Sequence, residues 1–235
     1  MMRKLIKTIF LALFVAVLFT SNAYCQKGNF KGIIKYSISW EGSVGPNAPT
    51  TWEMKVYDEQ TSFTDMFAGF PMLTNAKNNT TYMLVDFSQV PVEGVTGKWF
   101  VKSKMTEEDF SKITYTILPD TKLLAGKTVK KVHCVVKKDD GTEDEEDIWM
   151  CDEIGPTKDV HYYPGLKGMP FEFYLEQDEI KATFTATEII PGGKVEEVDM
   201  LVPSGYEEVS EDEFMEIFST LMEYIQELTG GGGDI

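Results

Sequence analysis

The stretch FKGIIKYSISWE, residues 30–41, sets the period of the chain. Ile34, Tyr36, Ile38 and Trp40 fall at every second position, with Lys35, Ser37 and Ser39 between them. A two-residue repeat puts apolar groups on one face and polar groups on the other, the pattern of a half-buried strand. The loop GSVGPNAP (42–49) follows, and then the pattern recurs. TWEMKVYD (51–58) alternates Trp52, Met54 and Val56, and residues 61–67 read as its hairpin partner. TYMLVDF (81–87) and KWFVK (98–102) continue the series. TVKKVHCVVKK (128–138) and EDIWMCDE (146–153) flank the acidic turn DDGTEDE. FEFYLE (171–176) and ATFTATEII (182–190) turn about residues 177–179, and residues 195–202 read as a last strand before Pro203. Roughly ten strands at hairpin spacing, with no helical crossovers, predict an antiparallel meander curled into a barrel or an open half-barrel.

Two segments break the period. TEEDFSK (106–112) has a capping Thr106 and an acidic first turn, which predicts a short helix. Near the C-terminus, Phe214, Ile217, Phe218, Leu221, Met222, Ile225 and Leu228 recur at helical spacing as one apolar stripe. Ser210 and Glu213 form a capping box, Val209 and Phe214 a hydrophobic staple, and Glu211, Asp212 and Glu213 suit the positive end of the helix dipole. Gly230 to Gly233 end the helix. The fold class is therefore α+β: a curved antiparallel sheet forming a half-barrel, packed by a long C-terminal amphipathic helix. The helix either plugs the core or moves to expose a cleft.

The first residues read as an address. Arg3, Lys4 and Lys7 precede the apolar run IFLALFVAVLF (9–19), which is shorter than the roughly 20 residues a bilayer span needs. Residues 1–25 are thus a secretory signal peptide. Cleavage falls after Ala23, with Ser21 at −3, or after Cys25, with Ala23 at −3. Tyr24 stands before Cys25, where lipoprotein processing takes a small residue, which argues against an anchor. Residues 26–229 form one domain, and 230–235 a flexible glycine-rich tail. The formal charge of −16 becomes −19 once three basic residues leave with the signal. Such a surface repels phosphate backbones and excludes nucleic acid as a partner.

Catalytic and metal chemistry find little support. Pairing β-strands so that residue numbers sum to 285 sets Cys134 opposite Cys151, which permits a cross-strand disulfide in an oxidising compartment. A one-residue slip points the two side chains to opposite faces and leaves two buried thiols. His133, Cys134, Cys151 and His161 make no zinc pattern, because His133 and Cys134 are neighbours on a strand and face opposite ways. The acidic turn lacks the ligand spacing of a calcium loop. No G-x-S-x-G elbow or phosphate loop occurs. His161, beside tyrosines near a loop, is the one histidine that a hydrolase reading would use. We expect no catalytic residues, no metal and no cofactor.

Apolar groups concentrate in two punctuated loops instead: FAGFPML (67–73) and HYYPGLKGMPFEFYLE (161–176). Ten methionines from Met54 to Met222 add flexible thioethers, which suit irregular cores and adaptable grooves alike. Two apolar loops beside a curved sheet suggest a binding surface.

PGLKGMP (164–170) resembles the signature of the GLPGLI-type family of exported proteins from Gram-negative bacteria. Gly165, Leu166, Gly168 and Met169 match its glycine and aliphatic positions, while Lys167 stands where that family often has proline. KGIIKYSIS (31–39), LLAGKTVKKVHCVV (123–136) and DIWMCDEIG (147–155) agree in order. LVPSGYEEVSEDEF (201–214) looks like a related family of unknown function. The resemblance implies a fold similar to the periplasmic lipoprotein carriers (LolA/LolB-like), whose half-barrel holds acyl chains on an apolar concave face. It implies a periplasmic or outer-membrane protein with a lipid or acylated protein as partner. The residues expected to line the cleft are Phe67, Phe70, Trp99, Leu166, Met169, Phe171 and Phe173. The carriers' positive rim residue has no match here. The alternative is a structural or interaction protein of the envelope whose sheet is filled by its own side chains.

Overall fold

The computed structural model describes residues 30–65, 69–138, 140–177 and 179–228; the predicted signal peptide, Phe67 and the glycine tail lie outside them. One twelve-stranded sheet runs in the order β12-β6-β5-β4-β3-β2-β1-β11-β10-β9-β8-β7. Its first half comprises β1 (Lys31–Glu41), β2 (Thr51–Tyr57), β3 (Gln60–Thr64), β4 (Pro71–Asn75), β5 (Thr80–Asp86) and β6 (Lys98–Lys104). The short helix α1 (Glu107–Ser111) leads to β7 (Ile113–Leu124), β8 (Lys127–Lys137), β9 (Glu143–Cys151), β10 (Met169–Gln177) and β11 (Ile180–Pro191). A 3-10 turn (Glu197–Met200), β12 (Glu207–Val209) and helix α2 (Glu211–Leu228) complete the order.

Two antiparallel meanders therefore meet where β1 pairs with β11. That topology forces curvature. β6 and β7 stand ten strand positions apart, which in a flat sheet is about 48 Å at ~4.8 Å per strand. Only residues 105–112 connect them, a reach of about 31 Å at full extension. The sheet must curl until its edges face one another. It stays open, because β7 at one edge and β12 at the other are not paired.

Several expectations are corrected. Twelve strands form among the described residues, not ten, since β4, β7 and β12 were unforeseen. Residues 195–202 hold a 3-10 turn in place of a strand. The β8–β9 register pairs Cys134 with Glu146, so residue numbers sum to 280. Cys151 is thus displaced by five residues along the ladder from the position opposite Cys134, about 16 Å at the rise of a strand. No disulfide can span that, and both thiols are free and buried. The short helix and its capping Thr106 are present as expected, with Asp109 completing a capping box. So is the box at α2, where Ser210 N donates to Glu213 Oε2 at 2.8 Å and Glu213 N to Ser210 Oγ at 3.2 Å.

The interior of the curl is filled by the sheet's inner face and by one connection. Ile34, Tyr36 and Ile38 of β1, Trp52, Met54 and Val56 of β2, and Phe184 and Ala186 of β11 are all buried there. The connection is residues 152–168, between β9 and β10, which contributes Ile154, Tyr163 and Leu166 to the same core. It turns inward as a plug. Thr81 Oγ1 on β5 donates to Val160 O at 3.2 Å, and Tyr115 Oη on β7 donates to Pro164 O at 3.1 Å. One loop is thus bonded to strands near both edges of the sheet.

Candidate ligand-binding site

The plug has the residues that its position demands. The Asp159 carboxylate accepts from the amides of Val160 (2.8 Å), His161 (3.2 Å) and Tyr163 (2.6 Å), folding the loop around a single side chain. Glu59, only 8% exposed, accepts from both the amide and the hydroxyl of Thr157 at 2.9 Å. Gly165 adopts φ +88°, and a Cβ at Gly168 would stand 2.7 Å from the Cys151 carbonyl. Those two glycines explain the punctuation of PGLKGMP: one supplies a left-handed turn, the other a close approach of loop to strand.

The plug divides the concave face. At its centre, Phe173 stacks on Phe184 with ring centroids 4.8 Å apart, and Trp52, Tyr162 and Tyr163 surround the pair. Burial raises the pKa of Tyr36, Tyr162 and Tyr163 and keeps these phenols protonated. Leu166, Met169, Phe171 and Phe173 all belong to this filled core, Phe171 with no exposure at all. They were expected to line the cleft. Because the loop folds inward, they are packed against other side chains instead.

Free space remains on either side of the plug. The first cavity, of about 480 Å³, lies between the start of α2, strands β4 to β6 and the plug. Its wall is Met72, Met83, Val101, Met105, Val160, Phe214 and Met215, with Thr81, Ser103, His161 and Glu211 as polar members. Register explains the wall: Phe63, Met72, Met83 and Val101 stand opposite one another across β3 to β6, an apolar row on the inner face. The adjacent row, Thr61, Thr74, Thr81 and Ser103, is hydroxylic, with Thr61 and Thr74 joined at 2.6 Å. Phe70 and Trp99 pack behind this wall in a cluster with Val85, Val101 and Phe214. Neither of these two expected residues lines the cavity itself.

The second cavity, of about 490 Å³, is bounded by Tyr115, Ile117, Val132, Met150, Asp152, Gly165, Leu166 and Lys167. Of the expected residues that are described, Leu166 alone borders it. The third, of about 550 Å³, is walled by Asp144, Glu145, Glu146 and Glu176 together with three tyrosines. Its carboxylates disfavour an apolar guest. Burial lifts the pKa of Glu146, whose Oε2 accepts from Tyr163 Oη at 3.2 Å.

His161 forms part of the wall of the first cavity, its ring 5.2 Å from Phe63 and 4.4 Å from Tyr162. Burial lowers its pKa, against the opposing pull of Asp159 and Asp65. Burial also pushes Cys134 up to about 11 and raises Cys151, which holds both as unreactive thiols. Among the described residues, no three His, Cys, Asp or Glu side chains converge as metal ligands. What the arrangement offers is apolar volume with a hydroxylic margin.

No protein-family model matches the chain, and no curated protein does either. Solved structures do. PNGF-II in one crystal form overlaps with a TM-score of 0.54 at 13% identity, covering 81% of this chain and 33% of that one. MucB overlaps with a TM-score of 0.33 at 10% identity, covering 78% and 60%. A LolA superfamily protein from Nitrosomonas europaea gives 0.29 at 7% identity, covering 76% and 93%. The chain thus spans about a third of the length of PNGF-II, and the likeness extends to fold alone.

Proposed function

We propose that this chain is an exported, non-enzymatic protein that binds an apolar or amphipathic ligand in the cleft beneath α2. A lipid or the acyl chain of a lipoprotein is the guest that fits this reading. The single observation behind it is the wall of Met72, Met83, Met105 and Met215 around about 480 Å³ of space. Thioethers adapt to irregular apolar guests, and that volume lies within the ordinary range for ligand cavities. Binding rests on apolar burial, about 25 cal/mol per Å² removed from water. The curled sheet is then a half-barrel, and α2 is the amphipathic helix over one flank. Residues 1–25 would deliver the protein to the periplasm or outer membrane of a Gram-negative cell, in line with the GLPGLI-type and carrier-like resemblance of PGLKGMP.

The filled centre favours a second reading, an envelope protein that serves structure or interaction and holds no small ligand. Leu166, Met169, Phe171 and Phe173 fill the middle of the concave face with the protein's own side chains. One experiment separates the two. The protein is purified from its own cell envelope and weighed intact under native and then denaturing conditions. A co-purifying lipid that departs on denaturation supports the cleft. A bare protein under both conditions favours the filled reading.

A further inference from the structure

We infer that the cleft beneath α2 selects chains whose polar end is neutral or positively charged and rejects those that end in carboxylate or phosphate. This rests on the binding reading above and names the ligand class of that same site. The polar members of the lining are two hydroxyls, Thr81 and Ser103, one imidazole, His161, and one carboxylate, Glu211. No lysine or arginine is among the lining residues that are described. Lys102 and Lys104 alternate along β6 with Val101, Ser103 and Met105, so they fall on the opposite face of the sheet. Lys158 in the plug is held over the Phe110 ring at 4.6 Å, and Lys98 is paired with Asp86 at 2.7 Å.

Among the described residues around the cleft, the N-terminus of α2 is the feature that could attract an anion. It is already served. Glu211, Asp212 and Glu213 fill its first turn, and the Ser210–Glu213 box and the Phe214 amide, which donates to Ser210 O at 2.9 Å, use its nearest groups. His161 faces the acidic side chains of Asp65 and Asp159 and is desolvated by burial, so it does not supply a standing positive charge. A buried carboxylate or phosphate would thus lose its hydration and meet no compensating cation. A hydroxyl or amide can donate to Thr81 Oγ1, whose own proton goes to Val160 O, an ester can accept from Ser103, and an ammonium can use Glu211.

The test is displacement of N-phenyl-1-naphthylamine, a neutral fluorescent probe, from the exported protein at neutral pH. The competitors are dodecanoate, monododecanoylglycerol and dodecylamine below their micellar concentrations. High salt screens the overall negative charge of the chain and isolates the local effect. We expect the glycerol ester and the amine to displace the probe at concentrations at least about tenfold below dodecanoate. Ser103→Lys, at an exposed position on the rim, should then narrow or reverse that gap. Equal or stronger displacement by dodecanoate, or a preference that vanishes in high salt, overturns the selectivity while leaving the cleft standing. An absence of saturable probe signal from protein with its native circular dichroism overturns the binding reading itself, and the selectivity with it.

Discussion

The centre of the concave face and its flank beneath α2 are built from different side chains. At the centre, rigid rings meet at short range: Phe173 on Phe184, Trp52 against Tyr36 at 5.1 Å and Phe63 at 5.5 Å. On the flank beneath α2, the same sheet presents thioethers, and Met215 remains 61% exposed. Rings locked by neighbours leave one arrangement and no room. Unbranched thioethers have several rotamers of similar energy and leave adaptable volume. The contrast suggests that the centre serves stability and the flank serves binding.

The largest expected effect comes from the centre. Phe173→Ala removes a ring that is 2% exposed and should cost about 3–5 kcal/mol in urea unfolding. A cost under about 1 kcal/mol would mean that the centre can collapse or open, and the contrast between the two regions would fail.

Next comes the device that keeps the plug inside. Asp159→Ala strips the acceptor from three amides, and each unmet buried donor is expensive. A loss of about 2 kcal/mol is expected, with faster hydrogen exchange at Val160, His161 and Tyr163. Unchanged exchange at those amides would show that the loop is held by its apolar contacts alone.

The pH response of the boundary between the regions is smaller. His161 has a folded pKa below its unfolded value because burial disfavours the imidazolium. The unfolded chain therefore takes up the proton more readily, and stability must fall as pH drops below the unfolded pKa of about 6.5. His161→Phe should flatten the slope of unfolding free energy between about pH 7 and pH 5 relative to the parent protein. An identical slope in the variant would place the imidazole in contact with solvent.

Parts of this arrangement are legible in sequence wherever the cause is local. The alternation of β1 and the capping box of α2 each lie within a few residues, and both are present as read. β7 contains Pro119 and Asp120, residue types that strands disfavour. In the fold they sit where the β7–β8 register shifts between Ile117 and Thr121, on an edge strand where a missing amide hydrogen is harmless. Residues 143–145, read in the sequence as part of the acidic turn, belong to β9. There, Lys131 and His133 meet Asp147 at 2.8 and 2.9 Å, and Lys138 meets Asp144 at 2.8 Å. The register that would set Cys134 opposite Cys151, with residue numbers summing to 285, is therefore off by five from the observed ladder. The cleft was only half visible. The alternation Thr81, Met83 and Val101, Ser103 marks its floor, but its roof depends on where residues 192–206 carry α2. That is set by non-local packing.

The smallest effect on stability should carry the most information about binding. Met215 lies in the first turns of α2, mostly in solvent yet on the cleft wall. Met215→Ser deletes little buried area, so unfolding free energy should stay within about 0.5 kcal/mol of the parent. If the thioether closes over a guest, the same change removes apolar contact only from the bound state. The dissociation constant of N-phenyl-1-naphthylamine should then rise about three- to tenfold, roughly 0.6–1.4 kcal/mol. Such a split between stability and affinity cannot arise from core packing. If both stay unchanged, the flank is no more than an incompletely covered edge of the sheet, and the distinction between a filled centre and a binding flank collapses.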